Sequence, residues 1–243
     1  VYNTRLSFYL KLTSDEQPDV VGVGECATLP DLSCDAIPPN EYERKLRTFC
    51  DEYERTGVID YEAMRAYPSM LFGLETAVAQ FNAKGSLNFF DTPFGRGEEG
   101  IPINGLVWMG TFEEMFERLE AKLKAGFRCI KIKIGAIDFD RELQLIRHIR
   151  STFSRNDVEL RVDANGGFTP EEALSRMEAL VQYDIHSIEQ PIKQHQWTEM
   201  ARLCAATPLP IGLDEELIGV NERQKKIELL DTIRPQYIVL KPS

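Results

Sequence analysis

A chain of 243 residues, 43% hydrophobic and 28% charged, carries enough apolar material for a large core and lies well away from the composition of disordered proteins. Its net charge of -11 repels phosphate backbones and anionic lipid, which argues against nucleic acid or a membrane surface as partner. Five cysteines, an odd number with no CxxC pair, give neither a disulfide framework nor a zinc site and fit a reducing cytoplasm, and no apolar run reaches the roughly 18 residues of a membrane span. The chain opens on Val1 rather than methionine, so a preceding segment is expected.

Residues 5–12 alternate apolar and polar, and residues 20–26 form a second short apolar run, which together predict an antiparallel pair. Helical patterns follow at 41–53 and 69–84, the latter placing Leu71, Leu74, Val78 and Phe81 on one face before Gly85. Strands followed by helices make residues 1–95 an α+β domain. The stretch 90–100, rich in Gly, Pro and charge, reads as a linker.

From residue 100 the rhythm changes to short apolar strands alternating with amphipathic helices. Strands are predicted at 102–109, 129–134, 159–164, 186–190, 210–214 and 237–240. Thr111 with Glu114, and Thr169 with Glu172 behind Pro170, mark two helix starts as capping boxes. A βα repeat of this kind specifies an α/β fold with a parallel sheet, either open and doubly wound or closed as a barrel. No GxGxxG follows the first strand, and polar residues recur at the C-terminal ends of many strands, so the barrel is favoured. Six strands are fewer than the eight of a closed barrel. Residues 100–243 are therefore expected to form a TIM-type barrel that is incomplete, its C-terminal strands missing.

Strand 129–134 carries Lys131 and Lys133 two residues apart, hence on one face. Alone they read as solvated lysines on an amphipathic strand, but a parallel sheet covered on both faces leaves no solvated side. Asp163, Glu189 and Asp214 each end a strand and lie 26 and 25 residues apart, about one βα unit each. Any one of them alone reads better as a helix cap. Three in step would crowd carboxylates at one rim, where they need a cation, and an all-oxygen set suits Mg²⁺ better than zinc. Lys241 stands at the end of the sixth strand; in isolation it is a lysine reaching solvent, and in this company it is a second acid/base candidate.

The combination of Lys131-Ile132-Lys133, the Asp163, Glu189 and Asp214 series, and Lys241 resembles the enolase superfamily in its muconate-lactonizing subgroup. The leading α+β domain is similar to that superfamily's capping domain. Within the subgroup, GVGEC at Cys26, PSMLFGLETA around Glu75, PINGLVWMG around Asn104, SIEQPI, PLPIGLDEELIG and PQYIVLKPS look like the o-succinylbenzoate synthase family. The resemblance implies a small-molecule carboxylate substrate, Mg²⁺ as cofactor with Mn²⁺ as a substitute, and dehydration of 2-succinyl-6-hydroxy-2,4-cyclohexadiene-1-carboxylate to o-succinylbenzoate in menaquinone biosynthesis. N-acylamino acid racemases and dipeptide epimerases share the scaffold and are the alternative. By resemblance Asp163, Glu189 and Asp214 hold the metal, although Glu215 and Glu216 crowd Asp214.

The same resemblance makes Lys133 the base, with Lys131 and the metal lowering its pKa by like-charge repulsion, and puts Lys241 on the opposite substrate face to stabilise the anionic intermediate. In an epimerase the two lysines would exchange base and acid roles. Asn165 and Arg161 share the strand face of Asp163 and are expected to touch substrate or support the metal ligands, with an interior ion pair the equal alternative for Arg161. His148, His186 and His195 read as structural, and Trp108 and Phe72 as core. Nothing in the sequence fixes the oligomeric state.

Overall fold

The alternation near the N-terminus produces an antiparallel pair, β1 (Ser7–Ser14) and β2 (Gln17–Ala27), with Phe8 opposite Cys26, Leu10 opposite Gly24 and Leu12 opposite Gly22. The computed structural model describes residues 3–241, which pack as two units, one running to Ile101 and including Lys241, the other spanning Pro102–Leu240. In the first unit β1 and β2 are followed by α1 (Pro39–Thr56), α2 (Tyr61–Met64) and α3 (Pro68–Asn82). Helix α3 lies so close to β2 that a Cβ on Gly24 would overlap the Gly73 carbonyl, and one on Gly22 the Ala77 carbonyl. Cys26, Tyr42, Leu46, Met64, Met70 and Leu74 form its apolar core. A buried carboxylate, Asp35, accepts from the Ser69 amide at 2.8 Å and the Ser69 hydroxyl at 2.5 Å, and the hydroxyls of Ser69 and Tyr42 bond at 2.6 Å.

The second unit is a parallel sheet of β3 (Gly105–Val107), β4 (Cys129–Lys133), β5 (Glu159–Asp163), β6 (Ile185–Glu189), β7 (Ile211–Leu213) and β8 (Tyr237–Ile238). Helices α4 (Phe112–Lys124), α5 (Phe139–Thr152), α6 (Pro170–Val181), α7 (Trp197–Ala206) and α8 (Arg223–Ile233) fill the crossovers. Strands lie in strict chain order from β3 to β8. A doubly wound sheet reverses its order at a switch point, and this sheet does not, so the architecture is that of an incomplete (β/α) barrel.

Burial explains the strand pattern. Ile130, Ile132 and Ile134 are fully buried in one cluster with Met115 and Leu119 of α4 and Leu145, Ile146 and Ile149 of α5. Each such side chain contributes about 1.5–3 kcal/mol relative to exposure. The opposite strand face is left to Lys131 and Lys133. Both anticipated capping boxes form: Thr111 accepts from the Glu114 amide at 3.3 Å while Glu114 accepts from the Thr111 amide at 2.8 Å, and Thr169 and Glu172 do the same at 3.4 and 3.0 Å.

Four features differ from the sequence reading. The stretches 102–109 and 237–240 contribute ladders of only three and two residues. Helix α2 and a 3-10 turn at Glu215–Leu217 were not anticipated, because four- and three-residue turns are too short to show a period. Among the described residues no helix is long and apolar enough to cross a membrane.

Candidate active site

Strand register decides which polar residues meet. Lys131 pairs with Arg161, Lys133 with Asp163, and Asp163 with Glu189, so the ends of β4, β5 and β6 are level. Lys131 Nζ lies 2.6 Å from Glu189 Oε2 and 2.8 Å from Asp163 Oδ2, and Lys133 Nζ lies 2.6 Å from the same Asp163 oxygen. Asp163 is fully buried and Lys133 is 7% exposed, so these pairs are little screened by water.

The two carboxylates are driven apart in proton affinity. Burial raises Asp163, but its bonds to Lys131, Lys133 and Glu189 outweigh it and leave the group below its usual range. Glu189 goes the other way: burial raises it, and the neighbouring Asp163 adds to the rise against the opposing pull of Lys131. For Lys131 burial depresses the ammonium, yet the bonds to Asp163 and Glu189 leave it above its ordinary value. Carboxylate oxygens such as these are the donors that a hard divalent cation takes. Here the lysine ammonium groups supply the balancing charge.

Asn165 continues the cluster outward. Its backbone is in the left-handed region, φ 44°, its Oδ1 accepts from Lys133 at 2.7 Å, and its Nδ2 donates to Glu215 Oε1 at 2.8 Å. Behind the carboxylates lies a clamp that the sequence reading missed. Gln190, fully buried and with φ 39°, accepts at Oε1 from the Asp214 amide (3.1 Å) and the Glu216 amide (3.2 Å), and its Nε2 donates to the Ile192 carbonyl (3.0 Å) and Glu216 Oε2 (3.4 Å). Its backbone N–H donates to Gly212 O at 2.9 Å, and its carbonyl accepts from the Gly166 amide at 2.7 Å. Gln190 thereby ties together the strand ends that carry Asp163, Glu189 and Asp214. Buried Glu216 in turn accepts from the His195 amide and the Trp197 indole, each at 2.8 Å.

Not every expected residue joins the cluster. Asp214 lies buried at the end of β7, 5% exposed, but among the described residues no three His, Cys, Asp or Glu side chains stand as a group arranged to hold a metal ion. Lys241 is exposed and lies two residues beyond the last β8 ladder bond of Val239 to Leu213. Arg161 turns to the opposite end of its strand and pairs with Glu159 at 2.7 Å, the ion-pair alternative. Its partner precedes it by two residues and so shares its face. The three histidines have structural partners: His148 bonds Glu120 at 2.8 Å, His186 bonds Ser187 at 2.9 Å, and His195 offers its backbone to Glu216.

Trp108 corrects the core assignment. It is 52% exposed, and Lys133 Nζ sits 5.5 Å from its ring centroid. Its apolar neighbours in sequence suggested burial, but it stands one residue past β3 at the open rim.

Fold and site together define a (β/α)-barrel protein with a lysine–carboxylate cluster at the C-terminal strand ends, where such barrels carry their chemistry. Residues 114–236 match the family model described as "Enolase C-terminal domain-like", half of the chain, and the chain belongs to that family. It is 54% identical over 177 residues to an o-succinylbenzoate synthase of Desulfotalea psychrophila, covering 73% of this chain and 48% of that protein. The crystal structure of MenC from Desulfotalea psychrophila LSv54 superposes with a TM-score of 0.80 at 40% identity, covering 98% of this chain and 73% of that one. An o-succinylbenzoate synthase from Thermosynechococcus elongatus BP-1, complexed with Mg in its active site, shares the fold at 23% identity and a TM-score of 0.75, covering 98% and 68%. The chain spans about half the length, or less, of the curated relatives it matches.

Proposed function

We propose that the full-length protein catalyses dehydration of 2-succinyl-6-hydroxy-2,4-cyclohexadiene-1-carboxylate to o-succinylbenzoate with Mg²⁺, Mn²⁺ serving as a substitute. The likeness to the Desulfotalea synthase carries the choice of reaction, because the lysine–carboxylate cluster would serve an epimerase equally well. Asp163, Glu189 and Asp214 are the proposed donors to the cation, which supplies stabilisation of the negative charge that develops on the substrate carboxylate as its α-proton leaves.

Lys133 is the proposed base. Its Nζ is bonded to Asp163 and Asn165, and a base must present a free lone pair to the substrate, so the Asp163 contact has to be given up before the α-proton is taken. Asn165 remains as the group that orients the amine. The α-proton passes to Lys133 Nζ, and the same proton is returned to the departing ring hydroxyl, so that water leaves and the ring becomes aromatic. Lys131, bonded to both Asp163 and Glu189, keeps positive charge beside the base. Lys241 is proposed to face the anionic intermediate from the other side.

Ultraviolet-monitored turnover tests the reading. Loss of water with a new aromatic absorbance is expected from the cyclohexadiene substrate. Silence there, combined with α-proton exchange and inversion on N-acylamino acids or dipeptides, would replace the synthase with the racemase or epimerase.

A further inference from the structure

Trp108 is placed by chain geometry at the rim beside the proposed base. Val107 pairs with Ile132, so the next residue of each strand brings Trp108 level with Lys133. Its backbone is anchored: Arg118 donates to the Trp108 carbonyl at 3.0 Å and to the Met109 carbonyl at 2.9 Å. Trp108 is 52% exposed, and Lys133 Nζ stands over its ring, 5.5 Å from the centroid. A scattered exposed aromatic needs no explanation. One with a clamped backbone, beside the base and partly free of it, has the form of a ligand-facing wall.

We propose that Trp108 is the ring-binding wall of this site, taking the unsaturated six-membered ring of the substrate beside Lys133, on the indole face that Lys133 stands over, and setting the reacting carbon against the amine. The inference rests on the dehydration reading and names the residue that selects for its substrate class. A carbon positioned for proton transfer stands roughly 3–3.5 Å from the amine. A six-membered ring bearing that carbon can then lie within the 4.5–7 Å or so of centroid separation that stacked rings adopt, given an indole 5.5 Å from the same nitrogen. An acyclic N-acylamino acid or dipeptide offers no flat ring at its α-carbon and would gain nothing from this wall. Trp108 moves no proton; it selects and places.

Of the two tryptophans in these 243 residues, Trp108 is the one beside the proposed base, so the difference in emission between wild type and the Trp108 variants reports on it. Trp197 is held by its bond to Glu216, whereas Trp108 is open. The full-length protein with Mg²⁺ is titrated with o-succinylbenzoate and with its saturated cyclohexane counterpart, following tryptophan emission and calorimetric affinity, in wild type, Trp108→Leu and Trp108→Phe. The aromatic acid should quench wild-type emission, and that quench should be absent in both variants. Wild type should prefer the aromatic acid by roughly 2–10-fold, a preference lost in Trp108→Leu and largely restored in Trp108→Phe. An equal preference in wild type and Trp108→Leu, with turnover intact, overturns the wall and leaves the reaction standing. Wild type that neither binds the aromatic acid nor turns over the cyclohexadiene substrate overturns the reaction and this inference with it.

Discussion

Removing the Gln190 side chain should damage both stability and cation binding. Its Oε1 is the acceptor for two buried amides, those of Asp214 and Glu216. Gln190→Ala leaves both donors unpaired, at about 1–3 kcal/mol each, so a loss of about 2–6 kcal/mol in unfolding free energy is expected. The freed Asp214 amide also releases the end of β7 from that of β6, and supports of this kind typically cost about 10–100-fold in metal affinity. Urea unfolding and calorimetric Mg²⁺ titration read the two effects separately. Gln190→Glu keeps an acceptor for both amides but sets a second carboxylate against Glu216, so it should fall between wild type and Gln190→Ala in stability. A Gln190→Ala protein within about 1 kcal/mol of wild type and with unchanged Mg²⁺ affinity would refute the clamp.

Two further outcomes follow from buried groups elsewhere. Glu142, 1% exposed, accepts at Oε1 from the amides of Gly135, Ala136 and Ile137, while its Oε2 is buried without a partner. Burial raises its pKa from 4.5 against the opposing pull of those amides. The folded state therefore binds this proton more tightly than the unfolded state, and stability from this group is lost as pH rises above about 4.5. Glu142→Gln removes that penalty, so its stability relative to wild type should climb between acidic and neutral pH in urea unfolding, and a flat difference would count against the assignment. Gly24→Ala forces a methyl into the Gly73 carbonyl and should lower the thermal stability of the first unit by about 1–3 kcal/mol, whereas a neutral effect would mean that α3 can back away from β2.

Much of this architecture is written in residue order. Period-two spacing put Lys131 and Lys133 on one face, and the near-equal intervals from Asp163 to Glu189 to Asp214 reflect successive βα units, with the ends of β4, β5 and β6 level and Asp214 two residues past the partner of Glu189. Thr111 and Thr169 announced their helices because a capping box is a local, four-residue device. What stayed hidden depends on side-chain direction across strands. Arg161 can bond backward to Glu159 or forward to Asp163 with the same sequence, and only packing chooses. Gln190 looked like any residue after an acidic one; its role comes from a left-handed backbone that turns the amide toward β7, a conformation that the sequence does not signal for glutamine. Trp108 was misplaced because apolar neighbours mark a buried strand, and the strand ends at Val107, one residue before it.

The central claim is that Lys133, set among these carboxylates, takes the α-proton in a cation-dependent dehydration. Turnover of the cyclohexadiene substrate by the full-length protein, measured beside Lys133→Ala and a chelated wild-type sample, addresses it most directly. A loss of at least about 10²-fold in the variant and comparable silence on chelation, both with the protein still folded, is the expected result. Turnover that survives in Lys133→Ala would contradict the account at its base.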